Sequence, residues 1–193
     1  MPRQFGFVSD ADAAARAAFH EERLSRQRLA MFAVVEGSSS SSSSTSSSLP
    51  RNVFIEFFAF ARFIREGLSA TLSFNAPGTP CWNDAVVDEL LALTRENMRS
   101  LYDGAGAAVS SWSWDDAAKR EELCDKDARY VIARAGQGQL LGFVHFRFVL
   151  EEPATDALYV YELQLAASAQ RKGLGRHLMI VCELIARKQG MHW

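Results

Sequence analysis

Cysteine is scarce in this chain, with 3 among 193 residues. Cys81, Cys124 and Cys182 are odd in number and lack metal-like spacing, so they read as reduced cytosolic or nuclear thiols with no zinc site. An excess of positive charge is also missing. The net charge of −2 gives no basic excess that would argue for nucleic-acid binding. No long apolar run is present. The most apolar stretch, residues 53–64, is interrupted by Glu56 and Arg62 and falls short of the roughly 20 residues that span a bilayer; a buried helix is expected there. No secretory leader is expected over the first 30 residues, because Asp10, Asp12, Glu21 and Glu22 break any apolar core. Two phosphate-binding signatures are absent as well. There is no Gly-x-x-x-x-Gly-Lys-Ser/Thr loop and no Gly-x-Gly-x-x-Gly followed by a distant acid.

What the chain does carry is Gln170-Arg171-Lys172-Gly173-Leu174-Gly175, placed between an alternating apolar strand and an amphipathic helix. Strand, basic glycine loop and helix form a cradle for a pyrophosphate. The glycines let backbone N–H groups approach the anion, and the helix start aims unpaired amides and a positive dipole end at it. Arg171, Lys172 and Arg176 add positive charge. The strand before the loop is read over residues 158–166, and two further strands over 140–150 and 129–135 precede it, separated by turn formers. All three are expected to be antiparallel neighbours. Leu174, Leu178, Val181, Cys182 and Ile185 recur at helical period after the loop, with Lys188 and Gly190 as stop signals.

Further upstream, Asn83 or Asp84 caps a helix expected to run to Tyr102. Ser113-Trp-Asp-Asp116 reads as a capping box for a short second helix through Glu122, and the intervening residues 103–111 as a mobile loop. Residues 1–37 read as an N-terminal helical extension, with a helix over about residues 10–30. Residues 38–50 form a serine-rich linker, expected to be disordered because it has no apolar surface to bury. Residues 51–193 then form the remaining domain.

The hexapeptide fits Gln/Arg-x-x-Gly-x-Gly/Ala, the acetyl-CoA signature of the GNAT acyltransferases, and the surrounding blocks narrow the likeness. Leu93-Thr-Arg-Glu-Asn-Met98, Trp112-Ser-Trp114, Lys119-Arg-Glu-Glu122, His145-Phe-Arg-Phe148, Tyr159-Val-Tyr-Glu-Leu-Gln-Leu165 and Arg171-Lys-Gly-Leu-Gly175 resemble the N-terminal acetyltransferase D family. That family acetylates the N-terminal serine of histones H4 and H2-A. A looser similarity reaches back to about Arg62, with residues 67–73 as a first strand. The resemblance implies a GNAT acyltransferase fold of α/β (α+β) class, a mixed and mainly antiparallel sheet flanked by helices. It implies acetyl-CoA as acetyl donor without a metal, and histone H4 and H2-A N-terminal peptides as partners. A monomer in nucleus and cytoplasm, with no direct nucleic acid and no membrane, completes the expectation. Relatives of this kind continue into a fifth strand and beyond, so the domain is expected to be incomplete after Met191-His-Trp193. Where relatives have an acidic pair, Val149 replaces the first acid and Glu151 keeps the second.

An amine attacks a thioester as the free base. A peptide α-amine with a pKa of about 7.7–8.0 is roughly a tenth neutral at pH 7, whereas a lysine is almost wholly charged. A modest general base therefore suffices, and Glu162 is the candidate, with Tyr161 beside it. Strict alternation would put Glu162 and Gln164 on one face and Tyr159 and Tyr161 on the other. The β-bulge that GNAT domains carry in this strand re-aims one side chain and frees an N–H for the thioester oxygen. Leu163, Gln164 and Leu165 are expected to offer backbone groups to the pantetheine arm, and Gln170, Arg171, Lys172, Gly173, Leu174, Gly175 and Arg176 to hold the pyrophosphate. Tyr102, Trp112, Val149, Leu150, Glu151, Tyr159 and Tyr161 are the candidate acceptor-binding residues. Each has a plain alternative: a salt bridge for Glu162, core packing for the aromatic residues, a hairpin charge for Glu151. His145, amid Phe143, Phe146 and Phe148, reads as a core histidine. Two other functions stay open, a lysine or small-amine acceptor and an inactive GNAT-like fragment.

Overall fold

Runs rich in β-branched and aromatic residues set the strands, and a computed structural model shows how they pair. It describes residues 58–109, 113–151 and 155–191. A boundary between compact units falls at Asn52 and Val53, and the described residues belong to the second, Val53–Trp193. The expected N-terminal helix, the serine linker and Trp112 lie outside the described residues.

Strands β1 (Arg62–Arg65), β2 (Leu68–Asn75), β3 (Arg129–Arg134), β4 (Leu140–Glu151) and β5 (Thr155–Leu165) pair in the order β1-β2-β3-β4-β5, each antiparallel to the next. The described part of the 53–64 run is not the expected buried helix. It forms a single 3₁₀ turn, Phe58–Phe60, and then β1. Phe63 is buried and Ile64 is 72% exposed, the two-residue alternation of a strand with one covered face. Glu66 and Gly67 close the β1–β2 hairpin with φ of 52° and 74°. Such a two-residue turn needs left-handed backbone at both central positions, which Gly67 adopts freely.

Helices α1 (Asp84–Val109) and α2 (Asp116–Leu123) separate β2 from β3, and α3 (Leu174–Lys188) follows β5. The Asn83 side chain accepts from the Val86 N–H at 3.1 Å and caps α1. Helix α1 runs past Tyr102 through Val109, so the expected loop over 103–111 is helical for most of its length. The alanines there favour helix, and each added residue gains a hydrogen bond once the helix exists, which outweighs the cost of Gly104 and Gly106. The cap of α2 is Asp115, not Ser113: the Asp115 carboxylate accepts from the N–H groups of Ala117 and Ala118 at 2.8 and 3.1 Å.

Two cores cover the two faces of the sheet. Against α1 and α2, Leu90, Leu93 and Leu123 pack with Tyr130, Ile132 and Phe143. The Tyr130 hydroxyl donates to the Leu123 carbonyl at 2.7 Å, tying the end of α2 to the sheet. On the other face, Leu174, Leu178, Val181, Cys182 and Ile185 of α3 are all buried, the stripe expected from the sequence. Burial pushes the Cys182 thiol up to about 12, as befits an inert core residue.

Candidate functional site

The loop after β5 is built by backbone conformation. Arg171 has φ 60° and Gly173 φ 88°, both left-handed, and Gly173 is the cap of α3. Left-handed residues near a helix start turn consecutive N–H groups towards one concavity, an anion nest. Space on the two glycines is tight, so a side chain there would have to displace the end of a neighbouring one by a few tenths of an ångström. A Cβ on Gly173 would meet Arg65 Nη1 at 3.2 Å, and one on Gly175 would meet Leu165 Cδ1 at 3.3 Å. The loop is anchored from behind, because Gln170 donates to the Leu165 carbonyl at 3.1 Å. Asn97 of α1 donates to that same carbonyl at 3.1 Å and to Gln164 Oε1 at 2.9 Å. Of Leu163, Gln164 and Leu165, Leu165 is therefore the one whose carbonyl is already engaged by two side chains. Strand β5 has a strand partner on one side only among the described residues, so its other edge presents unpaired backbone groups.

The register between β4 and β5 slips at one place. His145 lies opposite Glu162 and Phe146 opposite Val160, leaving Tyr161 as the extra residue of a bulge. Glu162 bonds Lys119 of α2, and Gln164 bonds Asn97 of α1, so both point to the α1/α2 face. Tyr161 stacks on His145 at 5.2 Å, which stacks on Tyr130 at 4.8 Å, also on that face. Tyr159 meets the Tyr161 ring edge-on at 5.0 Å, and the Arg147 guanidinium lies 4.5 Å above Tyr161. Alternation alone would have split these side chains between two faces. The bulge collects Tyr159, Tyr161, Glu162 and Gln164 on one.

Glu162 sits in a dense polar network. Lys119 Nζ donates to Glu162 Oε1 and to Glu122 Oε2, both at 2.8 Å, and Gln164 donates to Glu162 Oε2 at 2.6 Å. The Lys119 and Glu162 side chains are 12% and 10% exposed. Burial works against the Lys119 ammonium, but its hydrogen bonds to Glu122 and Glu162 more than offset it and hold its pKa above the ordinary lysine value. A carboxylate accepts about four hydrogen bonds, so Glu162 retains capacity for another partner. His145 is fully buried and its Nδ1 has no hydrogen-bond partner among the described residues. Burial first, then the charges of Arg147 and Lys119, push its pKa down to about 3. It is a neutral core residue, in keeping with the sequence reading.

A cavity of about 230 Å³ opens beside this network, lined by Tyr102, Ser113, Trp114, Lys119 and Glu122 among others. Tyr102 is half-buried and meets Trp114 edge-on at 5.7 Å. Trp114 Nε1 donates to Asp116, whose carboxyl is held below its usual range first by the Arg95 guanidinium and then by Trp114 itself. Trp114 packs against the core on the α1/α2 face and also lines the cavity. A more open groove of about 460 Å³ runs along the outer side of α1 between Ala92 and Asp103; none of its residues belongs to the loop or the bulge.

Val149 is half-buried in β4 opposite Ala157, while Leu150 and Glu151 continue that strand opposite Asp156 and Thr155. Arg171 and Arg176 are exposed at the loop, with Lys172 partly covered. Sequence reasoning assigned no role to Lys119, Asn97 or Arg147. Their signal was spacing-free, since each reaches a partner on another element. Among the described residues no cluster of three His, Cys, Asp or Glu side chains is placed to hold a metal, and no helix is long and apolar enough to cross a membrane.

A bulged strand that runs into a left-handed glycine loop and a helix start is the architecture of an acyl-CoA-dependent transferase. The chain belongs to the Acetyltransferase (GNAT) family, whose model matches residues 89–193, more than half of its length. Members of that family take their acetyl group from acetyl-CoA. Similar solved structures include a ribosomal-protein-alanine N-acetyltransferase from Brucella melitensis biovar Abortus 2308, at 19% identity and TM-score 0.47, covering 64% of this chain and 76% of that one. A glucosamine N-acetyltransferase region of a fungal multi-domain β-N-acetylglucosaminidase matches at 22% identity and TM-score 0.46, over 63% of this chain and 13% of that one. A transferase described as an acetyl transferase from Pyrococcus furiosus matches at 18% identity and TM-score 0.45, over 63% and 77%.

Proposed function

We propose that this acetyltransferase is an N-α-acetyltransferase of the D type, which transfers acetyl from acetyl-CoA to the N-terminal serine of histones H4 and H2-A. The observation that carries the reading is the bulge at Tyr161, which sets Tyr161 and Glu162 on one face beside a cavity walled by Tyr102 and Trp114. The sequence blocks shared with that family fall on these same elements. Acetyl-CoA supplies the activated thioester when bound. The backbone nest of residues 170–175 would hold its pyrophosphate, with Arg171, Lys172 and Arg176 adding charge, and the backbone of Leu163 and Gln164 would hold its pantetheine arm. Glu162 takes the proton from the attacking amine, directly or through one water, and Lys119 keeps that carboxylate oriented. Tyr161 and Tyr159 flank the amine, with Tyr102 and Val149 bordering the peptide; Trp112, Leu150 and Glu151 are further acceptor-binding candidates from the sequence. An α-amine suits this site because it needs little help to lose its proton. The protein acts as a monomer in nucleus and cytoplasm.

Intact-mass detection of acetyl transfer to a histone H4 N-terminal peptide, beside the same peptide blocked at its α-amine, tests the proposal. Modification of the free peptide alone is expected. Equal modification of both would assign a lysine acceptor and overturn it.

A further inference from the structure

The pyrophosphate loop has a neighbour that no local motif reveals. Arg65, more than a hundred positions earlier in the chain, lies against it: a Cβ built on Gly173 would sit 3.2 Å from Arg65 Nη1 and 3.8 Å from Arg65 Cζ. The placement is fixed by structure on both sides. Arg65 ends β1 opposite Leu68, at the tight turn through Glu66 and Gly67. The first turn of α3 grips the same hairpin, since His177 Nε2 lies 2.9 Å from the Phe60 carbonyl and its ring packs on Phe63 at 5.3 Å. The guanidinium thus stands over the glycine whose left-handed backbone forms the nest. Among the described residues its one ion pair is through Nε, to Glu66 at 3.1 Å, with both side chains more than half exposed. An arginine has five N–H donors, so the four on the Nη atoms stay available.

We propose that Arg65 is a phosphate-binding residue of the acyl-CoA site, closing the loop of residues 170–175 from the β1 side. The loop's amides supply neutral donors, whereas a guanidinium supplies a charge and a planar fork matched to phosphate oxygens. This rests on the assignment of the loop to the cofactor and is independent of the acceptor. The ligand is a phosphate of coenzyme A, and two are available, the pyrophosphate and the 3′-phosphate.

Isothermal titration of the full chain and of R65A and R65K with coenzyme A and with 3′-dephospho-coenzyme A provides the test. R65A is expected to bind coenzyme A about 10-fold or more weakly, with R65K intermediate because it keeps the charge and loses the fork. Equal weakening for both ligands assigns Arg65 to the pyrophosphate. Weakening confined to coenzyme A assigns it to the 3′-phosphate. Unchanged affinity of R65A for both ligands, with the wild type binding, overturns the role of Arg65 alone. A wild type that binds neither ligand overturns the loop assignment too. Because Arg65 is well exposed, R65A is expected to keep the wild-type circular dichroism spectrum, so reduced affinity reads as a lost contact.

Discussion

On the α3 side of the sheet the groups that the candidate site offers are backbone amides, shaped by two left-handed residues and a helix start, and supported by an apolar stripe. On the α1/α2 side they are side chains from β4, β5, α1 and α2, held by hydrogen bonds that cross between elements. The first arrangement depends on a short local sequence and tolerates change wherever the backbone survives. The second depends on packing, and each member leaves another exposed when it is lost. A single bulge joins the two regimes, because the strand that feeds the nest is also the strand whose register slip turns Tyr161 towards Glu162.

The contrast is broken most sharply at Gly173. Gly173→Glu puts a side chain at φ 88° and a negative charge inside the nest. Acetyl-CoA affinity should fall by more than about 100-fold, the equivalent of about 2.8 kcal/mol, while thermal stability changes far less. Calorimetric titration checks this, and normal binding would remove the loop as the pyrophosphate site. On the other side, Lys119→Met should act on stability. It leaves Glu162 and Glu122 without their shared cation, and for a partly buried network beside a cavity the loss should be about 1–2 kcal/mol. Urea unfolding would show it, and an unchanged midpoint would mean that the network is solvated and adds nothing.

A smaller effect concerns pH. The folded His145 titrates at about 3 against an ordinary 6.5, so between those values the unfolded chain binds a proton that the folded chain refuses. Stability contributed by keeping this histidine neutral is complete above pH 6.5 and declines as the pH falls, by up to about 1.4 kcal/mol per unit. His145→Phe should flatten the stability profile between pH 6.5 and 5. An unaltered slope would show that the imidazole accepts a proton in place, beside Arg147 and Lys119.

The α3 side was largely legible in the sequence, because its information is local. The stripe from Leu174 to Ile185, the glycine loop and the strands before it each follow from spacing within a short window. The family likeness added the bulge, which alternation alone argues against. What the sequence did not reveal has a physical pattern. The apolar run ending at Ile64 was read by composition as a helix, yet pairing with β2 decides for a strand. Residues 103–109 carry loop-like glycines but continue a helix already nucleated. Ser113 and Asp115 are both good caps, and geometry alone selects Asp115. Lys119 is one charge among several on a polar helix until the fold brings Glu162 within 2.8 Å.

In the proposed mechanism the sheet divides the labour, with Glu162 serving the acceptor amine and not the cofactor. Glu162→Gln tests it most directly when acetyl-CoA affinity and single-turnover acetylation of an H4 N-terminal peptide are measured on the same preparation. The account predicts unchanged affinity and a rate at least about 100-fold lower across neutral pH. A wild-type rate, or a loss confined to acetyl-CoA affinity, would contradict it.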